Sequence, residues 1–167
     1  EHHMMGAQPD GLFHPEQGMP RGQTLRLFLD VAGVIDIPTP SSNPFPDVSA
    51  THPLAGYLLR ASQLGIVRGY EAGDFRIDRI VSLIEAIKML LLTFRIPADQ
   101  LHNLPSYTDV PMGVWYVPFA RYVMDHRLIV TQPDGSMGRD RQLTRAEIAD
   151  LLYRFFQDRP DLLQNFM

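Results

Sequence analysis

The chain has 167 residues, 45% hydrophobic and 20% charged, with a formal net charge of −4 and no cysteine. That is the composition of a folded globular chain. It excludes disulfides, thiolate metal sites and cysteine nucleophiles, it offers no basic excess for nucleic acid, and no apolar run approaches the ~20 residues a membrane helix needs.

In chain order, the first helical pattern covers 23–32, with Leu27, Phe28 and Val31 on one face. A Pro-, Ser- and Asn-rich linker follows over 38–44. Leu54, Tyr57, Leu58, Ala61 and Leu64 then recur at helical spacing over 52–64, ahead of a turn-rich loop at 69–75. Ser82 and Glu85 form a capping-box pair opening a helix that carries Ile84, Ile87, Leu91 and Phe94. A second linker spans 97–106. A helix over 115–124 tolerates Pro118 only in its first turn. After a loop at 132–137, Thr144 and Glu147 repeat the capping box ahead of Ile148, Leu151, Leu152 and Phe155. The pattern predicts an all-α fold with little or no sheet, in which Leu27, Leu58, Leu64, Leu91, Phe119 and Leu151 are buried together.

These elements repeat at a spacing of 62 residues without a gap. Asp47-Val48 returns as Asp109-Val110. Gly11, Gly73 and Gly135 share the period, as do Phe13, Phe75 and Met137, the set Gln23, Glu85 and Glu147, and the pair Ser82 and Thr144. The chain divides into a partial unit at 1–40, which holds only a second half, and full units at 41–100 and 101–167.

The capping box accounts for Glu85 and Glu147. Arg21 and Arg145 are different, because a cation in a first helical turn opposes the helix dipole. A nearby anion would turn that cost into a gain, either as a bound ligand or as an acidic side chain of a neighbouring unit. Trp115 reads as a sugar-stacking surface or a half-buried packing residue. Gly11, Gly73 and Gly135 fit turns of positive φ, and Asp10 and Asp134 fit the same turns. Glu1-His2-His3-Met4 could chelate copper but reads more readily as a tag remnant or frayed tail. The chain has no H-E-x-x-H, G-x-S-x-G or phosphate-binding glycine loop, and His14, His52, His102 and His126 share no repeat position. Neither an enzyme nor a cofactor is expected.

The ordered motifs Phe45-Pro46-Asp47-Val48, Gly65-Ile66-Val67-Arg68-Gly69-Tyr70, Gly73-Asp74-Phe75, Tyr107-Thr108-Asp109-Val110 and Thr144-Arg145-Ala146-Glu147 resemble the S-layer homology (SLH) family. Asp10-Gly11-Leu12-Phe13 and Pro20-Arg21-Gly22-Gln23 carry the remnant in the first unit. The resemblance implies an all-α, pseudo-threefold, three-pronged spindle. It also implies non-covalent binding of cell-wall polysaccharide, often pyruvylated, in grooves between prongs, with the T-R-A-E segment taking part. The ligand-binding residues it suggests are Arg145, Thr144, Trp115, Arg21, Asp134, Gly135, Ser82, Gly69 and Gly73, with the strongest site at Arg145. It implies export to the bacterial cell surface, where a mature chain has lost its signal peptide, and no insertion into a membrane. A second reading is a structural module of a surface layer or filament that self-associates through degenerate units. The chain departs from the family pattern at Leu83 in place of arginine, at Pro20 and Gln23, and at Arg127 and Thr131 in place of the glycines at 65 and 69.

Overall fold

The computed structural model describes residues 5–98 and 107–162. They form five helices, α1 (Arg21–Val31), α2 (Ala55–Gln63), α3 (Leu83–Thr93), α4 (Val117–Asp125) and α5 (Arg145–Asp158). The fold is all-α, and pairing between extended segments is limited to isolated bridges among the described residues. α1, α3 and α5 begin one period apart, as do α2 and α4. Residues 99–106, most of the second linker, and the Glu1–Met4 terminus lie outside the described residues.

The helices are organised by the extended segments that lead into α1, α3 and α5. Met19 donates its amide to Leu143, Leu143 to Val81 and Val81 to Met19, at 2.8, 3.0 and 3.0 Å. The next turn repeats the cycle: Arg21 donates to Arg79, Leu83 to Arg141 and Arg145 to Gln17. A third cycle joins Gly22 to Ile77, Ile84 to Arg139 and Ala146 to Pro15. Every bond passes from one unit to another, and the last unit bonds back to the first. Met19, Val81 and Leu143 are at most 4% exposed, so the ring lies in the core, where unpaired amides would be costly.

The aspartates of the F-x-D-V and Y-T-D-V motifs hold each full unit together. Asp47 accepts from the amides of Phe75 and Arg76 at 2.8 and 2.6 Å, and Asp109 from Met137 and Arg139 at 2.9 and 3.0 Å. Burial works to raise both carboxyl pKa values, but the backbone donors outweigh it and hold both below the usual range. Each clamp bends the loop so that Phe75 or Met137 enters the core.

α1 packs on α2, α3 on α4, and α1 also on α3. Leu27, Leu58, Leu91 and Leu151 are buried as expected, and Phe119 packs against the core while partly exposed. Leu64 departs from the expectation at 39% exposure. It is the C-cap of α2, and the left-handed Gly65 that follows turns the chain so that Ile66 and Val67 enter the core instead. The same turn closes α4, with Arg127 at φ 54° donating to Met124 and Leu128 donating to Val123. The glycine lost at this position therefore left the backbone conformation intact.

A non-glycine residue at positive φ carries steric cost. Arg127→Gly is expected to stabilise the fold by about 0.5–1 kcal/mol, the cost of the left-handed side chain less the extra chain entropy glycine brings. Thermal melting checks this, and an unchanged or lower midpoint would contradict it.

Candidate ligand-binding site

The site is built outward from Glu85 in the first turn of α3. Its carboxylate accepts from the amide of Ser82 at 3.0 Å, closing the cap, and from Arg79 at 3.0 and 3.1 Å. The Tyr70 hydroxyl also donates to it, and Arg21 of the preceding unit lies 3.5 Å away. Burial works to raise the Glu85 pKa, and these donors carry it below the usual range. Burial, with the hydrogen bond to Glu85, pushes the Tyr70 hydroxyl up to about 12.

Arg21 is 7% exposed and sits 4.6 Å from the ring centre of Phe75 and 4.9 Å from that of Tyr70. Burial lowers its pKa, and Glu85 offsets part of that. This is the ion pair with a neighbouring unit that the sequence left open. Its buried Nε has no hydrogen-bond partner.

One turn along α3, the Lys88 ammonium lies 4.4 Å from the ring centre of Trp115. Burial lowers the Lys88 pKa, and repulsion from Arg21 and Arg68 adds to this against the pull of Glu85. Trp115 precedes α4 and is 55% exposed, with Tyr116 and Phe119 at its edge, 5.2 and 6.3 Å away between ring centres. Arg139, itself bonded to Asp140, covers Tyr116 at 5.2 Å. Lys88 thus lies against the half-exposed indole, with Arg21 and Arg68 acting on it electrostatically and Arg139 on the neighbouring Tyr116.

Arg145 holds the equivalent position at the next junction with different bonding. Its Nε donates to the carbonyl of Phe13 at 2.8 Å and a terminal nitrogen to that of Gly6 at 2.9 Å, with the Phe13 ring 4.9 Å away. It borders a groove of about 650 Å³ shared with Gln8, Gln23, Arg26, His52 and Asp78. There Arg26, the counterpart of Lys88, bonds Asp30 at 3.3 Å, and Pro53 takes the position of Trp115. At the remaining junction the pair is Leu83 and Met137, both 1% exposed.

Trp115, Arg21 and Ser82 therefore gather about Glu85 and Lys88, with Gly69 adjoining Tyr70. Gly69 is at φ 78°, and a Cβ there would lie 2.9 Å from the carbonyl of Asp74. Thr144 caps α5 with Glu147, through bonds of 2.8 and 3.3 Å, at the Arg145 junction. Gly73, Asp134 and Gly135 lie in outer turns, where Asp134 accepts from the amide of Ser136 at 2.9 Å. Lys88, Arg68, Arg139 and Tyr70 were missed. Lys88 carried a signal, as the charge interrupting the apolar run at 86–94.

The two capping glutamates should respond unequally to removal. The Glu85 side chain is 13% exposed and neutralises a buried arginine, whereas the Glu147 side chain is 38% exposed. Glu85→Ala is expected to cost about 3–5 kcal/mol, the range for an orphaned buried charge. Glu147→Ala should cost about 1 kcal/mol, the range for a lost cap. Denaturant unfolding of both variants checks this, and equal losses would contradict it.

The S-layer homology domain model matches residues 44–87 and 106–149. The S-layer protein sap of Bacillus anthracis is 28% identical over 127 residues, covering 76% of this chain and 15% of that protein. A surface layer protein of Brevibacillus choshinensis is 27% identical over 97 residues, covering 57% of this chain and 9% of that protein. The chain thus spans only a small part of the length of these relatives. Domains of this kind generally anchor surface-layer proteins to the cell wall. With the matched stretches covering more than half its residues, the chain belongs to the S-layer homology domain family.

Proposed function

We propose that this chain is a wall-anchoring module that binds an anionic cell-wall glycan, such as a pyruvylated secondary polysaccharide, at the cluster of Trp115, Lys88, Arg21, Arg68 and Arg139. It acts at the bacterial cell surface, without catalysis, as a three-pronged spindle of the units 1–40, 41–100 and 101–167.

The observation that carries this reading is the half-exposed Trp115 with a partly desolvated ammonium 4.4 Å from its ring. An indole face suits the apolar face of a sugar ring. Lys88 has lost hydration and faces further cations, so an incoming carboxylate would relieve both costs. Arg21, held 3.5 Å from Glu85, adds positive charge beneath Lys88. Ser82 caps the helix that carries Lys88, and Gly69 gives the turn before Tyr70. In this reading Arg145 serves mainly as a tie, because its donors already meet the carbonyls of Phe13 and Gly6.

Calorimetric titration with a pyruvylated wall fragment tests the proposal. Lys88→Ala is expected to weaken binding by about 1.5–3 kcal/mol, the range for hydrogen bonds to charged groups. Trp115→Ala should weaken it by about 1 kcal/mol or more. Arg26→Ala, at the equivalent position of the neighbouring groove, should bind like the parent. Parental affinity in both the Lys88 and Trp115 variants would refute the site, and failure of the parent to bind wall polymer at all would refute the function.

A further inference from the structure

Lys88 is the only lysine of the chain, and its ammonium stands against an indole. A cation on a helix commonly pairs with an acid three or four residues away. Arg26, the counterpart of Lys88 in α1, does so with Asp30, Arg121 of α4 with Asp125, and Arg154 of α5 with Asp150. In α3 the position four residues beyond Lys88 holds Leu92. Glu85, three residues before it, is the sole acid of that helix, and it forms its ion pairs with Arg21 and Arg79 instead. On Lys88, repulsion from Arg21 and Arg68 outweighs the pull of Glu85.

We propose that Tyr70 is a positioning residue of the Lys88 site: its hydroxyl holds Glu85 away from Lys88 and so keeps the ammonium open to a ligand carboxylate. This rests on the anionic-glycan reading of that site. Both oxygens of Glu85 are occupied. Oε2 accepts from the Ser82 amide and from Arg79, each at 3.0 Å, and Oε1 accepts from Arg79 at 3.1 Å and from the Tyr70 hydroxyl. The next unit shows what a cap and one arginine achieve by themselves. There Glu147 has the cap at Thr144 and the ion pair to Arg141, but Gln132 stands where Tyr70 does and Leu83 where Arg21 does. The Glu147 side chain is 38% exposed, against 13% for Glu85. The phenol is itself fixed. Gly69 at φ 78° turns the chain ahead of it, and the Tyr70 amide donates to Asp74 at 2.8 Å. The guanidiniums of Arg76, Arg21 and Arg79 lie 4.3, 4.9 and 5.2 Å from its ring centre. Burial, with the bond to Glu85, pushes its pKa up to about 12, so the hydroxyl stays a donor at neutral pH.

Because the chain has one lysine, isotope labelling of lysine gives a single side-chain NMR signal that reports its titration without any ligand. Tyr70→Phe removes the hydroxyl and keeps the ring. Arg79→Gln, which removes the other close donor to Oε1, serves as a second variant. In both, Glu85 is expected to turn toward Lys88. A lysine that gains a carboxylate partner holds its proton more tightly, so its titration should move to higher pH and its acylation at fixed pH should slow. Calorimetric affinity for a pyruvylated wall fragment should fall about two- to fivefold, the range for a partly exposed ion pair that the ligand must first break. An unchanged lysine titration in both variants would overturn the proposal. So would a shifted titration with parental affinity for the fragment. A parent that binds no wall fragment would refute the proposed function, while the titration would still decide whether Tyr70 keeps Glu85 from Lys88.

Discussion

The architecture depends on the closed ring of backbone hydrogen bonds that joins the segments before α1, α3 and α5. A helix-loop-helix unit of this size cannot bury its own apolar face, so stability comes from its neighbours. In an open array each unit meets only the next one. Here the third unit bonds back to the first, and Met19, Val81 and Leu143 exchange amides and carbonyls in a cycle. Closure fixes where each second helix begins, and therefore brings the first turn of one unit against the aromatic turn of the next.

That closure produces three junctions of the same geometry and different chemistry. Arg21 against Phe75, Arg145 against Phe13, and the Leu83 and Met137 positions are one set of coordinates filled in three ways. Where the pair is Leu and Met, apolar burial suffices. Where it is Arg145, carbonyls consume the guanidinium donors. Where it is Arg21, a carboxylate and two rings hold the cation while one nitrogen stays unmatched, beside Lys88 and the exposed Trp115. Divergence within a symmetric frame leaves the frame intact, because the ring uses only backbone groups and is indifferent to the side chains displayed around it.

The period, the helices and both capping boxes were legible in the sequence because each rests on local rules: 3.6-residue spacing, hydroxyl caps and turn glycines. The core residues Leu27, Leu58, Leu91 and Leu151 followed from the same spacing, while Leu64 did not, because a left-handed glycine redirects the chain just after it. Arg21 and Arg145 stand out in the sequence as cations in a first helical turn. Which of them keeps a free donor depends on carbonyls more than a hundred residues away, and no local pattern carries that. Lys88 and Trp115 lie in separate segments, so their approach to 4.4 Å is a product of tertiary structure alone.

Amide hydrogen exchange at Met19, Val81 and Leu143 tests the ring most directly. If closure organises the fold, the three amides exchange only through global unfolding and share one protection factor, equal to that expected from the unfolding free energy. Distinct protection factors, with Met19 and Val81 exchanging through a local opening while Leu143 remains protected, would mean that the first unit leaves the other two, and would contradict the account.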